Sequence, residues 1–385
     1  MALYAGIMSG TSLDGIDIAF AEIDVLDPSP AAPRLNVKPM GSSYEAYPGR
    51  LRQEIADLRN GLPCPVSAVS RLPYELGGVY ASALLASACQ NAIDLRGLTA
   101  VGMHGQTVWH HPPSAGSAPA HTLQLGNPAA LAEMAKVPVV SDFRAADIAA
   151  GGEGAPLIPF ADYILLSSRS ETRAVLNIGG IANVTFLPAG GQLQDTRAFD
   201  TGPGNMVIDA VVTALTEGKQ TYDKDGALAA AGAPNEKALE DLLAHPYFHK
   251  APPKSTGAEL FGAAYTKDFL ARCKELSRKD TVATAAMLTA RSVATGLLRF
   301  VPGRPERLIL GGGGARNKTL VGYLSALLPD TAISMHDEFG LDGDSKEALA
   351  FAILAAAHIH RIPANIPAAT GASGPRILGS YTPAP

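Results

Sequence analysis

Cysteine is scarce. Three are present in 385 residues, Cys64, Cys89 and Cys273, far apart and without a CxxC pair. An odd count at such spacings excludes a disulfide framework and the usual cysteine zinc sites. The three read as small buried hydrophobes in a reducing compartment. Charge is thin as well: Asp, Glu, Lys and Arg make up 17% of the chain, with a net charge of −5. A chain with no basic excess has no footprint for nucleic acid or an anionic membrane. No apolar run approaches the ~20 residues that span a bilayer, and no basic segment followed by a signal-type apolar core opens the chain. The expectation is a soluble cytoplasmic protein. HExxH, GxSxG and GxxxxGK[ST] are absent, which excludes zincin, hydrolase-elbow and Walker chemistry as read from motifs. The nine histidines form no metal-like cluster: His110 and His111 are adjacent, and His358 and His360 stand two apart on a predicted helix.

What is present is apolar residue, at 47%, enough for two cores in a chain too long for one. The 39 glycines and 29 prolines are spread out as punctuation between periodic segments. Leu3 to Val25 reads as strand, turn, strand. Ile16, Ile18 and Phe20 alternate with Asp17, Ala19 and Ala21, the period of a half-buried strand. The turn Met8 to Gly15 carries glycines, serines, a threonine and an aspartate, and such a turn can offer N–H groups and hydroxyls to an anion. An ordinary tight hairpin would read the same way. Ala174 to Leu187 repeats the design with Gly179, Gly180 and Asn183 in the turn, roughly 170 residues later, so the chain reads as two similar halves. The polar cluster Ser167 to Glu171 sets the division at 1–169 and 170–385.

Within the first half, a third strand is expected near Leu35 to Pro39. Helices are expected over Pro48 to Asn60 and from Val66 to about Ile93. Three strands in succession, Leu98 to Met103, His121 to Leu125 and Val137 to Ser141, run into polar loops: His104, Gly105 and Gln106; Gly126 and Asn127; Asp142, Phe143 and Arg144. In open α/β sheets the crevice beyond strand ends takes the ligand. Taken singly, His104 or Arg144 reads better as a residue satisfying the backbone.

In the second half, Phe199 to Asp209 places Asp200 before a Gly202, Gly204 and Asn205 loop and a helix from Met206 to Leu215. Further helices are expected over Asn235 to Ala244, Gly262 to Leu276 and Asp280 to Phe300. The strand Arg307 to Leu310 enters Gly311, Gly312, Gly313 and Gly314, with Asn317 opening the next helix. Four consecutive glycines cost backbone entropy, so something large and flat, such as an adenosine, is expected against them. A strand over Ala332 to Met335, a loop with Asp337 and Glu338, and a helix from Ser345 to His360 complete the chain. Two phosphate-sized turns and a glycine-rich strand-to-helix loop suit phosphoryl transfer, which needs positioning, Mg²⁺ and a carboxylate to take the nucleophile's proton. Asp200, next after the second hairpin, is the candidate base; a helix-capping aspartate is the other reading.

At this point the residues resemble a known family. GIMSGTSLDGID (Gly6 to Asp17), GMHGQTVWH, LQLGNPAALA, VVSDFRAADIAAGGEGAPL, LNIGGIANV, FDTGPGNMVID, PKSTG (Pro253 to Gly257) and LILGGGGARN (Leu308 to Asn317) are together similar to anhydro-N-acetylmuramic acid kinase, in unbroken order along essentially the whole chain. The resemblance implies a two-lobed actin-like ATPase fold, each lobe a mixed β-sheet flanked by helices with a duplicated phosphate hairpin. It implies ATP and Mg²⁺ as cofactors, and hydrolytic opening of 1,6-anhydro-N-acetylmuramate with phosphorylation at O6 in cell-wall sugar recycling. It implies Asp200 as the base that activates water. For ATP it implies Gly10, Thr11, Ser12, Leu13, Asp14, Gly15, Ile16 and Asp17 in the first half, and Gly179, Gly180, Asn183, Gly202, Gly204, Asn205, Gly311, Gly312, Gly313 and Asn317 in the second. The sugar would fall to His104, Gly105, Gln106, Asn127, Asp142, Arg144 and Glu338. Asp14, Asp17 and Asp200 remain alternatives as outer partners of Mg²⁺. A homodimer is also implied. Another sugar kinase, or an ATP switch without a small acceptor, are the competing readings.

Overall fold

The computed structural model describes residues 1–385 apart from Thr11, Ser12, Ser117, Ala118 and Asp344. It divides into two compact units, one comprising 1–165, 192–194 and 344–385, the other 166–191 and 195–343.

In the first unit, β1 (Ala2–Met8), β2 (Gly15–Asp27) and β3 (Arg34–Ala46) form an antiparallel meander, with near-continuous apolar runs burying both faces of β1 and of the first part of β2. Beside β1 lie, in parallel, β4 (Leu98–Met103) and then β7 (Val139–Ser141), with the short β13 (Ser380–Thr382) closing the edge, in the order β13-β7-β4-β1-β2-β3. Between them in sequence, β5 (Gln106–His111) and β6 (His121–Leu125) pair only with each other. Phe20, Ile16 and Ile18 of β2 are fully buried with Leu76, Tyr80 and Leu84 of the helix Val66–Gln90.

In the second unit β8 (Arg173–Ile178), β9 (Ile181–Leu187) and β10 (Arg197–Pro203) form the antiparallel meander. There β11 (Arg307–Gly311) and β12 (Ala332–Met335) run parallel to β8, in the order β10-β9-β8-β11-β12. The meander-plus-parallel-strand plan of the first sheet therefore recurs in the same order and sense. This is the duplicated, mixed-sheet plan expected from the two hairpins. The helix Arg278–Phe300, long and apolar, is mostly buried in this unit's core, with Val293, Ala290 and Leu297 against the sheet.

Four expectations change. The division at 169/170 is not the one the contacts make, because residues 344–385 return to the first unit. The reason is steric: Gly6 of β1 and Gly102 of β4 have no side chain, and a Cβ on either would strike the backbone of the helix Lys346–Ile359 at Ala348 and Phe351. An alanine-rich helix thus seats directly on the sheet. The third strand runs to Ala46, well past Pro39, and β6 belongs to a separate ribbon with the unforeseen β5. Of the cysteines only Cys273 is buried; Cys64 and Cys89 are exposed.

Candidate active site

Asp200 sits in β10 opposite Asn183 of β9, immediately before a register shift between Asp200 and Gly202. Such a bulge re-aims a side chain out of the regular pleat. The loop that follows the helix Pro246–His249 closes around it: the Asp200 N–H donates to the Lys254 carbonyl at 3.1 Å, and the Thr256 N–H donates to Oδ2 of Asp200 at 2.9 Å. The Tyr247 hydroxyl donates to the Asp200 carbonyl at 2.9 Å. Burial pushes the Asp200 carboxyl up to about 7, with Glu259 adding to the rise; the Thr256 N–H and the Lys254 charge oppose it. A carboxyl held there is divided between acid and base forms at neutral pH, which is where a general base works best.

Lys254 is itself buried, with its ammonium 4.7 Å from the Phe300 ring centre, 4.8 Å from Tyr247 and 5.8 Å from Phe199. Burial draws its ammonium down to about 8, while Asp200 supports its charge. Lys254 and Thr256 lie in the PKSTG segment, whose spacing alone gave them no role. Tyr247 and Glu259 carried no sequence signal either.

A cleft of about 410 Å³ in the second unit is lined by Asn205, Ile208, Asp209, Tyr222, Asp223, Lys224, Asp225, Gly313, Arg316 and Asn317, within the range of small-molecule sites. The structure brings Asn205, Gly313 and Asn317 of the expected set together here. The segment Tyr222 to Asp225, Asp209 and Arg316 were not foreseen. Burial pushes the Asp209 carboxyl up to about 6, with Asp223 adding to the rise. The glycine run has a different cause from the one expected. A Cβ on Gly311 would enter the His336 ring, one on Gly312 would meet Asn177 and Ile178, and one on Gly314 would enter the Ile178 side chain. Of the four, only Gly313 has room for a Cβ, which would lie 3.8 Å from Nδ2 of Asn205. Three of the four glycines are demanded by the protein's own packing, and one borders the cleft. Gly179 and Gly180 likewise turn their carbonyls to the helix Asn205–Leu215, accepting from the N–H groups of Gly204, Asn205 and Met206 at 2.8–3.1 Å. Gly202 packs on Phe248. Glu338 is exposed and caps its own turn, accepting from the Met335 N–H at 2.7 Å.

In the first unit, the hairpin turn from Gly10 to Gly15 has Thr11 and Ser12 outside the described residues. The Leu13 N–H donates to the Gly10 carbonyl at 3.3 Å with Leu13 at φ 56°, and Asp14 is exposed at the tip. Gly15, Ile16 and the half-buried Asp17 already belong to β2. Beneath the turn runs a buried polar chain. Ser9 Oγ and the Tyr80 hydroxyl are 2.8 Å apart, and the Tyr80 and Tyr47 hydroxyls 3.2 Å. Tyr47 donates to Oε1 of Gln106 at 3.0 Å, and Nε2 of Gln106 donates to the Gly10 carbonyl at 3.1 Å. Gln106 is fully buried, so its side chain serves the turn between β1 and β2 rather than an open loop.

His104 and Arg144 do meet: Nη2 of Arg144 lies 2.9 Å from Nε2 of His104, while Nη1 donates to the Gly154 carbonyl at 2.7 Å. A guanidinium can only donate, so His104 accepts at Nε2 and carries its proton on Nδ1. Burial and the Arg144 charge push the His104 imidazole down to about 3, fixing it neutral. Glu347, in the first turn of the helix Lys346–Ile359, supports the Arg144 charge; it was not foreseen. Gly105 takes φ 78° beside Leu125, Asp142 takes φ 57° and is exposed, and Asn127 caps the helix Pro128–Ala135 by accepting from the Ala130 N–H.

Residues 2–384 match the family model described as anhydro-N-acetylmuramic acid kinase. Curated proteins of that name are similar throughout. The one from Caldanaerobacter subterraneus subsp. tengcongensis is 40% identical over 99% of this chain and 96% of its own. Those from Salinibacter ruber and Gloeobacter violaceus are each 43% identical, over 98% and 99% of this chain and 95% and 99% of theirs. Among solved structures, component A of the Acidaminococcus fermentans (R)-2-hydroxyglutaryl-CoA dehydratase overlaps at TM-score 0.44 and 13% identity, over 92% of this chain and 97% of that one. With residues 2–384 matched by the family model and relatives of that name 40–43% identical over nearly the whole chain, the chain belongs to the anhydro-N-acetylmuramic acid kinase family and is a phosphotransferase.

Proposed function

We propose that the protein opens the 1,6-anhydro ring of 1,6-anhydro-N-acetylmuramate with water and phosphorylates O6 with ATP, giving N-acetylmuramate 6-phosphate and ADP for the reuse of cell-wall sugar. The observation that carries this reading is Asp200: a carboxyl held from both sides by backbone, aimed by a bulge and raised to about 7. Asp200 takes a proton from water as the water oxygen bonds to C1. The C1–O6 bond breaks, its electron pair stays on O6, and O6 bonds to the γ-phosphorus as the bond to ADP breaks; Asp200 then returns its proton to solvent. One base serves both events, because ring opening itself generates the nucleophile for phosphoryl transfer.

Adenosine is assigned to the cleft at Gly313, Asn205 and Asn317, and the phosphates to the glycine turns at Gly10 to Gly15 and Gly179–Gly180. The neutral His104 and cationic Arg144 are assigned to the sugar, together with Glu347. Among the described residues no group of three His, Cys, Asp or Glu side chains forms a metal site. Mg²⁺ would be carried in on phosphate oxygens, with Asp14, Asp17 or Asp200 as alternative outer partners through water, and would neutralise charge on the transferring group.

The test is ADP release with and without 1,6-anhydro-N-acetylmuramate, with the product weighed by mass spectrometry. We expect sugar-dependent ADP and a product heavier than the sugar by one phosphoryl unit plus one water. A gain of the phosphoryl unit alone would make the protein a conventional sugar kinase, and full turnover without sugar would make it an ATP switch.

A further inference from the structure

Lys254 is a buried ammonium that the chemistry above does not use. It belongs to the loop 250–257, which follows the helix Pro246–His249 and reaches Asp200 only through main-chain atoms: the Lys254 carbonyl and the Thr256 N–H. A loop gripping by backbone needs an anchor of its own, or its carbonyl and N–H will drift. The anchor is the Lys254 side chain. It passes between the rings of Phe300, Tyr247 and Phe199, and its Nζ donates to the Tyr247 carbonyl at 3.3 Å. Aromatic faces hold a cation without removing its charge, so the same group that pins the loop also leaves a positive charge beside the carboxyl. Two of the cage walls are tied to Asp200 as well: Phe199 precedes it in β10, and Tyr247 donates its hydroxyl to the Asp200 carbonyl.

We infer that Lys254 is a positioning residue for Asp200, its caged ammonium fixing the loop whose main chain holds the carboxylate. The inference rests on the reading of Asp200 as the base. The charged and titratable groups that face this pair are Glu259 and Tyr247 toward Asp200, and Lys250 and Arg299 toward Lys254. Glu259 opposes ionisation of Asp200, so the lysine is the nearby cation that favours it.

The test compares Lys254→Met, which keeps the length of the side chain and removes its charge, with Phe300→Leu, which opens one wall of the cage at a half-exposed position and carries less risk to folding. In the full-length enzyme we expect kcat to fall about tenfold or more in Lys254→Met, with KM for ATP and for the sugar within about twofold of wild type. The acid limb of the kcat profile should move to higher pH, because the loss of a cation raises a neighbouring carboxyl's pKa. Phe300→Leu should show the same change in smaller measure. Wild-type kcat and an unmoved acid limb in either folded variant would overturn the inference. So would lowered kcat with no movement of the limb, the mark of a lysine that only supports the fold. An active Asp200→Asn enzyme would instead sink the underlying assignment of the base, so the two failures are told apart.

Discussion

The side-chain amide of Gln106 donates to the carbonyl of Gly10 at 3.1 Å, tying the loop after β4 to the turn between β1 and β2. That carbonyl also accepts from Leu13, so both of its lone pairs are directed into the protein. With phosphate placed at this turn as proposed, a carbonyl so held cannot rotate toward it and repel it. The chain beneath, through Tyr47 and Tyr80 to Ser9, rests on the helix Val66–Gln90.

Replacing Gln106 by Leu should therefore act on nucleotide affinity rather than on chemistry. We expect KM for ATP to rise about tenfold and stability to fall by about 1–3 kcal/mol from the stranded Tyr47 and Gly10 groups. Steady-state kinetics and urea unfolding check both; an unchanged KM would mean that the tie has no bearing on the turn's function.

Asp200→Asn keeps an acceptor for Thr256 but cannot take a proton. The expected loss in kcat is on the order of 10³-fold or more with ATP binding retained, measured by turnover and by calorimetry. Residual turnover near wild type would move the base elsewhere.

The pH dependence follows from the raised carboxyl. Activity should rise with pH through about 7 as Asp200 ionises. Stability runs the other way. A folded-state value above the unfolded one means that the native protein binds the extra proton, a contribution fully present below about 4 and lost as pH climbs through 7. Asp200→Asn should thus melt higher than wild type at pH 8, and the difference should shrink toward pH 5. Thermal melts at the two pH values decide it.

Gly313 and Gly311 should respond oppositely. Gly313→Val places a branched side chain in the cleft beside Asn205 without a clash at Cβ, so we expect an unchanged Tm and loss of ATP binding. Gly311→Ala drives a methyl into His336 and should cost about 1–3 kcal/mol from overpacking. Calorimetric ATP titration and melting curves separate the two roles.

The hairpins, the strand-to-helix glycine loop and most of the longer helices were legible because alternation and helical spacing record which face is buried, whereas the helix Ile158–Leu166 and short helices such as Pro246–His249 were not. Asp200 was legible from its neighbours in FDTGPGN. Lys254 and Glu347 were not, because each is brought to its partner by a fold-back that leaves no local period: a backbone loop in one case, the seating of the helix Lys346–Ile359 in the other. The ribbon of β5 and β6 was missed for a related reason, since His104 to Thr107 reads as a polar loop until β6 pairs with it.

The sequence by itself determined the duplicated meander, the family and the identity of the candidate base, all of which reside in short contiguous runs. The tertiary structure decided which glycine borders the cleft and which pack against the protein, that Gln106 supports a turn, and that residues 344–385 complete the first unit. Those outcomes depend on contacts between segments far apart in the chain. A residue's spacing says how it is turned, whereas only packing says what it is turned toward.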